Sequence, residues 1–122
     1  VDISAPAIVG GYFMGKDSAP LLDLAKSFDL WERRISIVAT LAFIRRNELG
    51  LTFRIAEILL HDPADLIHKA AGWMLRETGK RDQAALEAFL APRYQKMPRT
   101  MLRYAIERFE ENKRRRYLEG IL

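Results

Sequence analysis

The chain has 122 residues, of which 49% are hydrophobic and 30% charged, so it is long enough for one folded domain and too apolar to be disordered. It contains no cysteine, which excludes disulfides, thiolate metal sites and cysteine nucleophiles and suits a cytoplasmic protein. No apolar run reaches the roughly 18 residues that a membrane-spanning helix needs, so we expect no membrane partner.

Positive charge is concentrated toward the C-terminal end. The net charge of +4 permits an anionic partner without requiring one. Residues 1–29 contain more acidic than basic side chains, and the balance reverses in residues 96–116. The basic residues of the second segment are Lys96, Arg99, Arg103, Arg108, Lys113, Arg114, Arg115 and Arg116, against Glu107, Glu110 and Glu111.

The apolar patterns predict helices throughout and no strand, because β-branched residues never alternate with polar ones for long. Asp29 is the expected N-cap of one helix, and the 92–98 segment, which begins and ends with proline, is an expected linker. In chain order, the predicted helices cover residues 3–14, 19–28, 30–46, 52–60, 65–80, 82–90, 99–111 and 112–118.

These helices group into pairs that begin about 34 residues apart, at residues 30, 65 and 99, a spacing typical of HEAT-like or TPR-like repeats. Repeats of this kind stack into an α-solenoid. The pattern therefore predicts an all-α protein in which equivalent positions of successive repeats line one surface.

The helix predicted at residues 65–80 contains three unusual choices. Asp65 is placed to cap its start and Gly79 to mark its end. Gly72 costs about 1 kcal/mol relative to alanine, so we expect another element to approach closely there. Trp73 lies beside the apolar stripe, and His68 lies near one edge of it. Trp73 is either a half-buried core residue or an aromatic directed into a groove.

Three segments resemble the AlkD-like DNA alkylation repair proteins, a family of DNA glycosylases built from HEAT-like repeats. They are VDISAPAIVGGYF, LWERRISIVATLAFIRR, and LIHKAAGWMLRETGK followed by MPRTMLRYAIERF. The resemblance implies a right-handed α-solenoid (an armadillo-like α-α superhelix). It also implies that residues 1–122 are one HEAT-like domain, forming the C-terminal portion of a longer DNA alkylation repair protein.

The family's site residues map onto Asp2 in VD, Arg34 in WERR and Trp73 in KAAGWMLRE. The family releases cationic N3- and N7-alkylpurines without base flipping. By that resemblance, Asp2 stabilises the oxocarbenium-like sugar, Trp73 contacts the sugar or lesion, and Arg34 binds a phosphate. Without the resemblance, Asp2 is equally a helix N-cap before Ile3, whereas the commoner role of Arg34, shared with Arg33, is that of a solvated residue on a helix face.

The resemblance further implies that the partner is double-stranded DNA with alkylated bases. It also implies a cytoplasmic location, with the protein acting at the bacterial nucleoid. The expected backbone contacts are Lys69, His68, Arg99 and Arg103. The basic run at 113–116 is either an outer phosphate contact or the polar face of a terminal helix.

We predict no metal site, because His61 and His68 are seven residues apart and are not accompanied by a second ligand cluster. We predict no cofactor, since no glycine-rich phosphate loop is present. The family's tryptophan that precedes VD and its earlier repeats would lie before Val1. We expect the full-length protein to be a monomer. Because those parts are missing here, we expect the isolated chain to have little or no activity and to be prone to self-association.

A non-catalytic HEAT-like scaffold that binds DNA or a protein is the alternative to the glycosylase. The set formed by Asp2, Arg34 and Trp73 separates the two hypotheses. A scaffold has no need for a carboxylate on a surface that binds polyanionic DNA.

Overall fold

A computed structural model of the chain describes residues 19–121, and this part consists of helices and turns without a strand. The prediction of an all-α fold is confirmed for these residues. None of these helices is both long enough and apolar enough to cross a membrane. The helices are α1 (Ala19–Ala25), α2 (Leu30–Val38), α3 (Leu41–Ile44), α4 (Gly50–Leu59), α5 (Asp65–Arg81), α6 (Gln83–Leu90), α7 (Arg99–Ala105) and α8 (Glu111–Glu119).

The longest helix, α5, is the central element of the described part. It packs against α2, α3, α4, α6 and, most extensively, α7. Its inward face is buried at Ile67, Ala71, Met74 and Leu75, as the apolar stripe predicted, but Leu66 of the same stripe is 42% exposed. Burying a side chain of this size stabilises a fold by about 1.5–3 kcal/mol. This core fixes the orientation of the outward face of α5.

The single helix predicted at residues 30–46 is wrong, because the structure divides it into α2 and α3. Asp29 caps α2 as predicted, accepting a hydrogen bond from the Trp31 amide at 2.8 Å. Near the break, the Ser36 hydroxyl donates to the Arg33 carbonyl at 2.5 Å, and the Thr40 hydroxyl donates to the Ile37 carbonyl at 2.6 Å. Hydroxyls that bond back to helix carbonyls in this way favour a bend.

Both ends of α5 differ from the prediction. Asp65 does not cap it: Ala64 is the N-cap residue, and its amide donates to Asp62 Oδ1 at 2.9 Å. The helix continues past Gly79 to Arg81 and stops where Asp82 adopts an extended conformation and caps α6. Gly79 instead admits α6, since an added Cβ would lie 2.6 Å from Leu86 Cδ2.

The C-terminal helices are also shorter or shifted. The helix predicted at 99–111 ends at Ala105 and is followed by a turn. Glu110 then caps α8, accepting hydrogen bonds from the Asn112 and Lys113 amides at 3.0 and 3.1 Å. These backbone hydrogen bonds lower the pKa of Glu110. The helix predicted at 19–28 ends at Ala25, and the one predicted at 3–14 lies outside the described residues.

A polar cluster joins α6 to α8. The Tyr117 hydroxyl donates to Glu87 Oε1 at 2.9 Å, and Lys113 Nζ lies 3.1 Å from Glu87 Oε2. Burial acts to raise the pKa of Glu87, but hydrogen bonds from Gln83, Lys113 and Tyr117 outweigh it, so this pKa is lowered. Burial, followed by the contact with Glu87, raises the pKa of Tyr117. The cluster therefore fixes α8 against α6.

Candidate nucleic-acid interface

A groove between α2, α5 and α7 brings together three of the residues that the sequence singled out. We call it the Trp73 groove; its cavity volume is about 290 Å³. Arg34 comes from α2, and Lys69 and Trp73 come from α5. The groove is lined by Arg34, Leu66, Lys69, Ala70, Trp73, Arg76 and Tyr104.

The lining follows from helix geometry. Residues three, four and seven apart lie on one face of a helix, and Leu66, Lys69, Trp73 and Arg76 follow this spacing on α5. Their face adjoins the buried stripe, so Trp73 is half-buried and packs against the core while it also lines the groove. Trp73 is therefore both a half-buried residue packed against the core and an aromatic residue that lines a groove.

Gly72 explains how α7 reaches this groove. A Cβ added at Gly72 would lie 2.5 Å from Tyr104 Cβ and 2.7 Å from the Met101 carbonyl oxygen. The expectation that another element approaches Gly72 closely is thus confirmed. The absence of a side chain lets α7 press onto α5, which places Tyr104 in the wall of the groove.

The two adjacent arginines of α2 have different roles. Arg33 Nε lies 2.7 Å from Asp62 Oδ2, with side-chain exposures of 16% and 5%, and Arg33 Nη1 donates to the Ser27 carbonyl at 3.0 Å. Arg33 is therefore occupied in holding α2 to the turn before α5. Arg34 lies in the groove wall, where its Nη1 donates to the Leu66 carbonyl at 3.3 Å.

The charge of the groove is positive. Arg34, Lys69 and Arg76 line it, and no carboxylate does so among residues 19–121. Lys69 pairs with Asp65 one turn earlier at 3.3 Å, where both side chains are largely exposed. An exposed pair of this kind is worth less than about 1 kcal/mol, so an anion can compete for Lys69. Two aromatic rings and three cations suit a phosphodiester strand.

The other predicted site residues lie elsewhere. Asp2 is outside the described residues, so its place relative to the groove stays a prediction. His68 Nε2 lies 2.5 Å from the Asp62 carbonyl oxygen, and His68 does not line the groove. Arg99 is exposed at the start of α7, and Arg103 lines a second groove with Arg114 of α8. The DNA contacts assigned to His68, Arg99 and Arg103 stay predictions.

Two lining residues were missed by the sequence argument. The sequence argument did not single out Arg76 as a site residue; its Nε lies 3.8 Å from Glu77 Oε2, and its Nη1 also bonds to Glu107 beyond α7. Its spacing of three residues from Trp73 would have revealed its place in the groove. Tyr104 carries no comparable signal, because its position depends on how closely α7 approaches Gly72.

The fold and the groove define an all-helical protein with a cationic, aromatic-lined groove fit for a nucleic-acid backbone. Comparison with known families agrees with this class, since the model of the DNA alkylation repair enzyme family matches residues 1–109. The chain belongs to the DNA alkylation repair enzyme family. Membership supports a general role in DNA repair, as an enzyme with DNA as its partner. Neither the curated proteins nor the solved structures contain a significant match.

Proposed function

We propose that the protein is a DNA glycosylase that releases cationic N3- and N7-alkylpurines, with the Trp73 groove as its site. The observation that carries this proposal is the convergence of Arg34, Lys69 and Trp73 from two helices on one groove. In the proposed architecture, the helix pairs around α5 are HEAT-like repeats of a right-handed α-solenoid, and the groove lies on its DNA-binding surface.

The chemistry requires little of the protein beyond charge stabilisation. Alkylation at N3 or N7 makes the purine cationic and a good leaving group. As the glycosidic bond between purine N9 and C1′ breaks, its electron pair leaves with the base, and positive charge develops on the sugar. A carboxylate near C1′ stabilises that cation and positions the water that attacks it. We assign this role to Asp2.

The groove residues hold the substrate in this proposal. Arg34 binds a phosphate beside the lesion, and Lys69 binds a neighbouring phosphate. The indole of Trp73 lies against the deoxyribose or the cationic base, where cation–π attraction contributes about 0.5–2 kcal/mol. A shallow groove of this size does not require that the base leave the helical stack, which suits excision without base flipping.

A non-catalytic DNA-binding scaffold is the second candidate. One observation favours it: the lining of the Trp73 groove contains no carboxylate among residues 19–121. The glycosylase therefore depends on Asp2, whereas the scaffold depends only on the cations and aromatic rings.

The deciding experiment measures the release of 7-methylguanine and 3-methyladenine from methylated duplex DNA by the full-length polypeptide. We expect Asp2→Asn to lower the rate at least about 100-fold, because a preorganised charge is lost, and to leave DNA affinity intact. Trp73→Ala should lower the rate about 2- to 30-fold, in line with its cation–π contribution.

Asp23→Asn is the matched control, since Asp23 is an exposed carboxylate on α1 and does not line the groove. We expect it to keep the full rate. If the protein binds duplex DNA but releases bases no faster than spontaneous loss, the glycosylase proposal is wrong and the scaffold takes its place.

A further inference from the structure

A second groove lies between α7 and α8. We call it the Arg114 groove; its cavity volume is about 260 Å³, and it is lined by Arg103, Glu107, Arg114 and Leu118. Two guanidinium groups from different helices thus share one small concavity. Like charges brought together in this way favour an anionic ligand between them.

The charges of this groove are unbalanced. No side chain among residues 19–121 forms an ion pair or hydrogen bond with the guanidinium of Arg103 or Arg114. Within the part of the chain that the structure describes, Glu107 is the only carboxylate in the lining, and it already pairs with Arg76 of the Trp73 groove. The two arginines are therefore available for a ligand, and a planar guanidinium matches phosphate oxygens well.

The basic run at 113–116 is divided between structural and available positions. Lys113 is held by Glu87 of α6 at 3.1 Å, and Arg115 lies 3.9 Å from Glu111 one turn earlier. Arg114 lies between them in sequence and lines the groove with Arg103. Because Lys113 and Tyr117 fix α8 against α6, the position of Arg114 is set by the fold.

The two grooves adjoin one another. Glu107 lines the Arg114 groove, and its carboxylate bonds to Arg76 in the wall of the Trp73 groove. Tyr104 of the Trp73 groove and Arg103 of the Arg114 groove are also consecutive residues on α7. A polyanionic strand that leaves the first groove past Tyr104 therefore meets Arg103 and Arg114.

We propose that Arg103 and Arg114 jointly bind one backbone phosphate of the DNA strand that occupies the Trp73 groove. The inference rests on the proposed function for the DNA and deepens it by adding α8 to the binding surface. The match to the family model ends at residue 109, so Arg114 is a contact that family membership does not supply.

The test measures the affinity of the full-length polypeptide for unmodified duplex DNA over a salt series. Each neutralised phosphate adds about 0.9 to the slope of log affinity against log salt. We expect Arg103→Gln with Arg114→Gln to lower the slope by about 0.9 and the affinity at about 0.1 M salt roughly eightfold. Because both side chains share one phosphate, the two single losses should not add.

Arg115→Gln is the matched control, because it removes the same charge from the same helix at an exposed position. We expect it to change the slope by less than a third of that amount. If Arg114→Gln changes the slope no more than Arg115→Gln, with thermal unfolding unchanged, the proposal is overturned.

Two further measurements distinguish a DNA phosphate contact from a free-phosphate site, and the phosphate contact from glycosylase activity. Inorganic phosphate at constant ionic strength should raise the thermal stability of the wild type no more than that of the double variant. If it stabilises only the wild type, and the two proteins bind DNA with equal affinity, the groove binds free phosphate and the proposal is wrong. Base release is measured in parallel on methylated DNA. A slope that falls in the double variant without base release in the wild type supports the phosphate contact and removes only the glycosylase.

Discussion

The Trp73 groove and a larger groove between α1, α4 and α6 both combine aromatic rings with arginine, but they differ in how those groups are used. The larger cavity, the Phe89 groove, has a volume of about 420 Å³. Its Phe53 and Phe89 rings stack with centroids 5.2 Å apart, and Arg93 lies 4.5 Å from the Phe89 centroid. The Phe89 groove is lined by Leu22, Lys26, Phe53, Arg54, Glu57, Ile58, Phe89 and Arg93.

Arg93 and the two aromatic rings of the Phe89 groove are engaged with one another and with Glu57. Arg93 Nη2 lies 2.5 Å from Glu57 Oε1, and its Nη1 donates to the Phe89 carbonyl at 2.9 Å. In the Trp73 groove, by contrast, no ring or cation of residues 19–121 stacks on Trp73 or Tyr104. The two grooves therefore differ in whether their rings are already stacked, and for this reason we propose the Trp73 groove, rather than the larger cavity, as the ligand site.

We expect the largest effect from a substitution that prevents α7 from packing closely on α5. Such a substitution changes the Trp73 groove and leaves the Phe89 groove intact. Gly72→Ala should destabilise the protein by about 1–3 kcal/mol, because the new Cβ overlaps Tyr104 Cβ and the Met101 carbonyl. Urea unfolding measures this change.

Gly50→Ala is the control, since an added Cβ at the start of α4 meets nothing within 4 Å. It should be neutral or stabilising by less than about 1 kcal/mol. Equal stability of the Gly72→Ala and Gly50→Ala variants would contradict the close crossing of α5 and α7.

A paired arginine replacement tests the comparison directly. Arg34→Gln should lower the salt slope of duplex binding by about 0.9, since it removes one phosphate contact. Arg93→Gln should leave that slope unchanged and instead lower the free energy of unfolding by about 0.5–1 kcal/mol, through loss of its contacts with Phe89 and Glu57. Similar slopes for the two variants would show that both grooves bind DNA, or that neither does.

The smallest effect concerns α6, which carries Phe89 in the larger groove and Glu87 in the cluster with α8. Tyr117→Phe removes one hydrogen bond to Glu87, which keeps those from Lys113 and Gln83, and should cost about 0.5 kcal/mol in urea unfolding. Because the pKa of Glu87 is lowered from 4.5, its contribution is present above pH 4.5 and is lost as the pH falls through the lowered pKa. Glu87→Gln should therefore be less sensitive to acid than the wild type; an identical acid dependence would contradict this.

The sequence predicted well whatever depends on the periodicity of one helix. The buried positions of α5, and the place of Lys69 and Trp73 on the face beside them, follow from a spacing of 3.6 residues per turn. The selection of Arg34 over Arg33 came from the family pattern, and the structure gives it a physical reason, because Asp62 engages Arg33.

Features that depend on contacts between helices could not be predicted in this way. The break near Thr40 coincides with a hydroxyl–carbonyl bond, which favours a bend and which a hydrophobic pattern does not reveal. Gly79 looked like a helix end, although it serves the approach of Leu86. Tyr104 enters the site only through the crossing at Gly72. Asp2, which carries the proposed chemistry, lies outside the described residues and stays a prediction.

The hydrogen bonds of Asp62 bear on the free energy of ligand binding. Its carboxylate accepts from Arg33 of α2 and from the Ala64 amide, and its carbonyl oxygen accepts from His68 of α5. Asp62 thus holds α2, α5 and the turn before α5 in a single arrangement before any ligand arrives. The conformational entropy of ordering the Arg34 side of the groove is lost during folding, so binding need not include it, and more of the contact energy appears as affinity.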